Sequence, residues 1–292
     1  MRFSFIDAKK AEFPVACLCV VLEVSQSGYF AWKSRPASER QRKDMVLLAH
    51  IRERFYLSRE TYGSPRMHAD LIDDDILAGR HRIARLMRDN GLKACQKRRF
   101  KKTTDSNHGG PVAPNHLDQD FATVAPDQKW AADISYIWTA EGWLYLAVVL
   151  DLFSRRIVGW AVSDRLKKDL ALSALQRALV LRQPKAGILH HSDRGSQYCS
   201  YDYRRMLGRH GFVLSMSGKG NCYDNAMVET VFKTIKSELI WRTSYQSRHQ
   251  AENAIARYID GFYNPVRRHS ALGYKSPIRF EEDAKRETMA LH

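Results

Sequence analysis

Trp130-Ala131-Ala132-Asp133-Ile134-Ser135-Tyr136-Ile137-Trp138 is the stretch on which the fold turns. In an extended segment Trp130, Ile134 and Tyr136 fall on one face and Asp133 on the other. A mid-strand Asp is unfavourable by propensity, so Asp133 is either a satisfied polar residue or a functional one. Working outward, Trp143 to Asp151 and Arg156 to Val162 read as two further strands, joined by short turns at Glu141-Gly142 and Ser154-Arg155. Downstream come a helix from Lys168 to Arg182, a short strand from Gly187 to His191, and a helix from Tyr201 to His210. A strand from Phe212 to Met216 and a long helix from about Asp224 to Leu239 follow. Three strands, then alternating helix and strand, predict an α/β class with a mixed five-stranded sheet flanked by helices. An amphipathic helix through Ala251, Ile255, Ile259 and Phe262 and an irregular tail close the chain.

The N-terminal part has a helical texture. Residues 14–34 predict two short helices around Ser25-Gln26-Ser27-Gly28, with Val15, Leu18 and Val21 or Leu22 facing one way. Leu48, Ile51 and Phe55 then mark one helical face, Ser64-Pro65 supplies an N-cap and first-turn pair, and Gly91 stops a helix running from His81 to Asn90. Ile83, Leu86 and Met87 point inward on that last helix, and the three helices together predict an all-α helix-turn-helix module. Arg80 to Lys102 carries ten basic residues and only Asp89 as an acid. Arg80, Arg82, Arg85 and Arg88 lie mostly off the apolar stripe, and Lys97, Arg98, Arg99, Lys101 and Lys102 extend the charge into a polar linker. Most charge runs are solvated helix faces, but the scarcity of acids here favours contact with a phosphate backbone.

Composition agrees. The 292 residues suggest two or three domains, and the formal net charge of +15 favours a polyanionic partner. Five cysteines (17, 19, 95, 199 and 222) form neither a C-x-x-C pair nor a zinc spacing, which predicts reduced thiols in a cytosolic compartment. No run approaches the roughly 20 apolar residues of a membrane span, so the expectation is a soluble chain without a membrane partner.

Asp133 gains weight from two further acids. Asp193 ends the strand-like Ile188-Leu189-His190-His191-Ser192, and Glu229 lies on the long helix among Val228, Val231, Ile235 and Leu239. Taken singly, Asp193 in Asp-Arg-Gly is ordinary turn chemistry, and Glu229 forms a surface pair with Lys233. Taken together they order as strand, strand end and helix on a basic chain. Three carboxylates brought to one place would make an all-oxygen site for Mg²⁺, the type of site that handles phosphodiesters. In that arrangement Asp133 bridges two ions, Asp193 and Glu229 each complete one, and Lys233 and Lys236 share the edge of Glu229. His190 and His191, though close in sequence, read as structural.

With those residues in place the chain resembles the insertion-sequence DDE transposases of the retroviral-integrase superfamily. It is most similar to proteins encoded by the second reading frame of two-frame bacterial elements. The resemblance runs nearly the whole length of the chain. It covers Phe13-Pro14 through Val24-Ser25-Gln26-Ser27-Gly28-Tyr29-Phe30-Ala31-Trp32, and Tyr62-Gly63 through His81-Arg82-Ile83-Ala84-Arg85-Leu86-Met87. In the core it covers Trp130-x-x-Asp133-Ile134-Ser135-Tyr136, Leu150-Asp151-Leu152-Phe153-Ser154-Arg155, His191-Ser192-Asp193-Arg194-Gly195-Ser196-Gln197-Tyr198 and Asn225-Ala226-x-x-Glu229. The tail matches at Tyr263-Asn264, Arg267, His269, Leu272 and Pro277. Arg268 departs from the pattern, where many relatives carry Pro; the expectation is that it affects only a tail contact.

The resemblance implies an RNase H-like catalytic core, with Asp133, Asp193 and Glu229 both catalytic and metal-binding. It implies two Mg²⁺ (or Mn²⁺) ions per active site, hydrolytic cleavage at element ends and strand transfer by a 3′-hydroxyl. The implied partners are double-stranded DNA (terminal inverted repeats and target DNA), further copies of the chain in a synaptic homo-oligomer, and the upstream-frame protein or its frameshift fusion. The implied location is the bacterial cytoplasm, at the nucleoid. The expected organisation is an N-terminal helix-turn-helix-like segment (1–37), a helix-turn-helix DNA-binding domain (38–95), a basic linker (96–122), and an integrase-type catalytic domain with a C-terminal helical tail (123–285). Two rivals stay in view. A stand-alone RNase H-like nuclease or junction resolvase would give no joined product, and a non-catalytic DNA-binding regulator would not respond to metal.

Overall fold

The computed structural model describes residues 1–94, 112–218 and 223–290. The chain divides into two compact units, Met1–Glu53 and Arg54–His292. In the first unit α1 (Arg2–Lys9), α2 (Val15–Val21) and α3 (Gln26–Ser34) enclose a small core of Ile6, Leu18, Cys19 and Tyr29. Leu22 packs against that core whereas Val21 is exposed, which settles the choice the periodicity left open. Ser25 caps α3 by accepting from the Gly28 N–H at 3.0 Å, and Tyr29 donates to Asp7 at 2.9 Å. The α1 helix was not anticipated. Its four polar and four apolar residues give only a weak period.

Helix α4 (Glu39–Leu57) runs across the division, and α5 (Ser64–Ile72) and α6 (Arg80–Asp89) follow it in the second unit. Ile83, Leu86 and Met87 are buried on α6 as expected. Gly91 sits at φ +70° beyond its end, while the Leu92 N–H reaches back to the Met87 carbonyl at 2.9 Å. That is the glycine-dependent stop the sequence implied. One detail differs: α5 begins at Ser64 with Gly63 in the cap position, and the Ser64 side chain makes no cap bond.

The centre of the second unit is a mixed five-stranded sheet in the order β3-β2-β1-β4-β5. Strands β1 (Lys129–Thr139), β2 (Gly142–Asp151) and β3 (Ile157–Ser163) form an antiparallel meander. After α7 (Lys168–Arg182) come β4 (Leu189–Ser192), α8 (Ser196–Cys199), α9 (Tyr201–Arg209) and β5 (Val213–Met216). Strands β1, β4 and β5 run parallel. On one sheet face Trp130, Ala132, Ala147, Val149, Val158 and Ala161 bury against Leu170, Ala174, Leu175 and Ala178 of α7. Gly159 permits that approach, because a Cβ there would lie 2.2 Å from the Ala174 carbonyl oxygen. Helices α10 (Ala226–Glu238), α11 (Arg248–Tyr258) and α12 (Pro277–Ala290) complete the unit.

The tail read as irregular is therefore helical at its end. The Ser276 hydroxyl accepts from the Arg279 N–H at 3.3 Å, and Pro277 opens the first turn. Among the described residues Cys17, Cys19 and Cys199 form no disulfide. No single described helix is long and apolar enough to cross a membrane, although α2 and α3, bent by 113°, pass that test of length and composition as a pair.

Candidate active site

Sheet topology brings Asp133 and Asp193 together. Ala132 on β1 pairs with Ser192 at the end of β4 in parallel register, so the next residue on each chain is an aspartate. Asp193 then turns the chain: its Oδ1 accepts from the Gly195 N–H at 2.9 Å. A Cβ on Gly195 would lie 2.9 Å from that oxygen, so a side chain there would have to displace the Asp193 carboxylate from its turn. Asp133 Oδ1 accepts from the neighbouring Ile134 N–H at 2.7 Å.

Glu229 arrives from the other direction, in the first turn of α10. The start of that helix is tied to β1, where the Asn225 amide donates to the Ala132 carbonyl at 3.5 Å. Asp224, fully buried, accepts from the Asn115 amide at 3.1 Å and from the Gly218 N–H at 3.0 Å. Arg194 Nε donates to the Ser217 carbonyl at 2.6 Å, tying the β4 turn to the end of β5. Sequence reasoning gave Asn115, Arg194 and Asp224 no role. An acid just before the long helix was the one available signal, and it reads equally as a solvated cap.

The electrostatics mark the three acids as one group. The Asp133 carboxyl is pushed well above the usual carboxylate range, first by burial and then by the negative charge of Asp193. The Ile134 N–H opposes this, Glu229 adds to it, and Lys236 offsets part of it. Lys236 is held below the ordinary lysine value by burial, while the charge of Asp133 pulls it back up. Lys236 thus lies in the field of Asp133 from two turns along α10. Lys233 forms a 3.3 Å pair with Glu229, and at 62% side-chain exposure it is a screened surface contact.

Oxygen donors alone, one of them resisting ionisation through burial and a neighbouring negative charge, are the chemistry a hard divalent cation relieves. The donor set therefore fits such an ion. As they stand, however, among the described residues no group of three or more His, Cys, Asp or Glu side chains is gathered closely enough to hold a metal. The carboxylates are engaged instead with Ile134, Gly195 and Lys233. His190 and His191 are structural: His190 Nε2 meets the Tyr203 hydroxyl at 3.0 Å, and His191 bridges the Ser215 and Ser217 hydroxyls at 2.9 and 3.1 Å. Burial holds the two imidazoles down at about 3 and about 4.

The largest influences on Asp133 come from β1, the β4 turn and α10, and not from α6. Arg80 and Arg88 are exposed and Arg82 and Arg85 partly so, all off the buried stripe. Asp89 engages both Arg85 (3.7 Å) and Arg88 (3.5 Å), so the α6 charge is less unpaired than its composition suggested. Lys97, Arg98, Arg99, Lys101 and Lys102 lie outside the described residues.

Comparison with known proteins adds relatives to this geometry. The Integrase core domain family matches residues 123–222 and again 210–277, and an HTH-like domain matches 41–100. Transposase InsF for insertion sequence IS3A of Escherichia coli (strain K12) is 42% identical over 287 residues, covering 96% of this chain and 98% of the relative. The insertion element IS600 uncharacterized 31 kDa protein of Shigella sonnei is 46% identical over 265 residues, covering 91% and 97%. Among solved structures, the HTLV-2 integrase catalytic core domain in complex with magnesium (dimeric form) aligns over 54% of this chain and 97% of its own, with a TM-score of 0.40 at 16% identity. A chain of the simian T-cell lymphotropic virus intasome aligns over 73% and 70%, with a TM-score of 0.45 at 14% identity.

Proposed function

The chain belongs to the insertion-sequence transposases of the integrase superfamily, enzymes of DNA transposition, and from that premise we propose that it cuts DNA at element ends and joins them to a target. Asp133, Asp193 and Glu229 are the catalytic and metal-binding residues of this reading. The observation that carries it is the parallel β1–β4 register that sets Asp133 beside Asp193, with Glu229 entering in the first turn of α10.

Two divalent cations (Mg²⁺ or Mn²⁺) held by these acids would supply activation of the attacking oxygen and charge neutralisation at the leaving one. The protein's own groups do the positioning. Asp133 is fixed by the Ile134 N–H at mid-strand, and Asp193 by its glycine turn. Glu229 rides on a helix whose first turn is tied to β1 through Asn225. Lys236, whose charge the Asp133 carboxylate favours, supplies positive charge where a scissile phosphate must approach three carboxylates. In cleavage, water oxygen bonds to phosphorus and the 3′ oxygen leaves; in joining, that 3′-hydroxyl attacks a target phosphodiester and the number of phosphodiester bonds is conserved.

The substrate in this reading is double-stranded DNA, terminal repeats and target. Arg80, Arg82, Arg85 and Arg88 of α6, with Lys97, Arg98, Arg99, Lys101, Lys102 and Lys233, neutralise its phosphates. Copies of the chain pair the two ends in a synaptic homo-oligomer, with the upstream-frame protein or its fusion as a further partner. The setting is the bacterial cytoplasm at the nucleoid. The test is single replacement of Asp133, Asp193 and Glu229 by Ala, with cleavage, joining and DNA binding measured on an end-containing duplex in Mg²⁺. Cleavage and joining should vanish while binding survives. Full strand transfer by any of the three would sink the assignment, and cleavage without any joined product would favour a nuclease.

A further inference from the structure

Arg267 and Arg268 are consecutive residues that grip different partners. Arg267, 2% exposed, donates from Nε and Nη2 to the two carboxylate oxygens of Glu238 at 2.7 and 2.6 Å. Glu238 is the last residue of α10, the helix that carries Glu229 and Lys236. Arg268 takes other partners. Its Nε lies 2.7 Å from Asp70 Oδ1 and its Nη1 2.7 Å from Asp73 Oδ2, at the end of α5. Its backbone N–H donates to the Tyr62 hydroxyl at 2.9 Å, and Tyr62 donates in turn to the Val266 carbonyl at 3.1 Å. Arg279 adds a 2.7 Å contact to Asp73.

The centre of the network is shielded, with Tyr62 1% exposed, Arg268 13% and Asp70 16%, while Asp73 at 31% and Arg279 at 53% form its open edge. The expectation that Arg268 touches only the tail is thereby overturned. It ties the tail to α5, which packs against the basic helix α6 inside the same compact unit. A planar, two-pronged guanidinium matched to two carboxylates fixes direction as well as distance, which a single lysine charge does not.

We propose that the Arg267–Arg268 dipeptide holds the DNA-contacting helix pair α5–α6 and the catalytic helix α10 in register, so that Arg268 is a positioning residue that sets which phosphodiester is cut. This rests on the functional reading above. Each arginine alone is a packing contact. Back to back, and beside the looser 3.8 Å contact of Arg66 on α5 with Glu238, they form a hydrogen-bonded link between the part that would read the end and the part that would cut it. A loosened link leaves both parts folded and both able to bind, but lets the scissile phosphate wander from the carboxylates.

The experiment uses the full chain and an end-containing duplex labelled on one strand, with cut positions mapped to the nucleotide. The variants are Arg268→Ala, Arg268→Lys and the double variant Asp70→Asn/Asp73→Asn, which breaks the same link from the other side together with the Arg54–Asp70 and Arg279–Asp73 pairs. Amide hydrogen exchange of residues 64–89 is followed in parallel. Arg268→Ala and Asp70→Asn/Asp73→Asn should bind the duplex nearly as the parent does. They should cut the correct phosphodiester roughly 10- to 100-fold more slowly, the scale of a misplacement of about 1 Å, and should scatter cuts to neighbouring positions. Exchange along α5 and α6 should quicken while that of β1 and β2 stays unchanged, and Arg268→Lys should fall between. A single cut at the parental position and rate in both Arg268→Ala and Asp70→Asn/Asp73→Asn would overturn the proposal. If the parent chain does not cut the duplex at all, the functional reading fails by itself. The exchange data then decide the link: faster α5–α6 exchange in both variants sustains it, and unchanged exchange refutes it.

Discussion

Replacing Arg267 by Met should destabilise the larger unit severely. The side chain it removes is 2% exposed and doubly bonded to a Glu238 carboxylate that is itself 5% exposed. Glu238 would keep the Tyr258 hydroxyl at 2.7 Å and Arg66 at 3.8 Å, neither of which replaces a two-pronged partner. Leaving one member of a buried pair costs about 3–5 kcal/mol, and Arg66 should hold the loss to the lower part of that range. At roughly 2–4 °C per kcal/mol for a unit of this size, the melting temperature should drop by about 6–12 °C. The double variant Arg267→Met/Glu238→Leu removes both charges and should recover at least half the loss, since an apolar pair of similar volume avoids the desolvation cost.

The pair also fixes a pH signature. Arg267 holds the Glu238 carboxyl below its ordinary value of 4.5 against the opposing effect of burial. Its contribution is therefore present above pH ~4.5 and is lost as pH falls through the lowered folded value. Parent and Arg267→Met should converge in acid. Thermal unfolding followed by circular dichroism at pH 7 and pH 3.5 measures both effects. A loss under about 1 kcal/mol at pH 7, or a gap that widens in acid, would refute the reasoning.

Three further outcomes follow from the same geometry. Gly159→Ala places a methyl 2.2 Å from the Ala174 carbonyl and 2.8 Å from the Ala178 Cβ, so it should cost about 3 kcal/mol, the upper end for overpacking; an unchanged melting temperature would mean α7 does not lie against β3. His190, held neutral down to about 3 by burial, should make stability fall as pH drops below about 6.5, where the unfolded imidazole takes up a proton, at up to about 1.4 kcal/mol per pH unit. The variant His190→Phe/Tyr203→Phe should lose that slope between pH 6.5 and 5 in urea titrations, and an identical slope would refute the attribution. Lys236→Ala should weaken crosslinking of the DNA end and slow joining without unfolding the chain; crosslinking and joining at parental levels would remove Lys236 from the site.

The sheet and its order of elements were legible because period-two alternation over Trp130–Trp138 and the turns at Gly142 and Arg155 leave few other solutions. Asp133 and Asp193 meet because β1 and β4 pair in parallel, a register that a single chain does not spell out. The alternation of types nonetheless hinted at where the two strands end. Long-range ion pairs were not legible at all. Arg267 with Glu238, Arg268 with Asp70 and Asp73, and Arg182 with Asp151 and Glu281 use the same letters as solvated surface charges. Burial alone distinguishes them, and burial is a property of the finished fold. The terminal helix α12 was expected only as a helical tail without bounds, although Ser276-Pro277, a cap followed by a first-turn proline, marks its start.

The central claim is that Asp133, Asp193 and Glu229 hold divalent cations at the site of strand transfer. Asp193→Cys tests it most directly, because it swaps a hard oxygen donor for a soft sulfur of similar reach. Joining of a pre-cut end to target DNA is measured in Mg²⁺ and again in Mn²⁺ or Cd²⁺. The account predicts joining lost in Mg²⁺ and regained in part with the softer metal, while the parent prefers Mg²⁺ or Mn²⁺. Parental joining by Asp193→Cys in Mg²⁺ would contradict it.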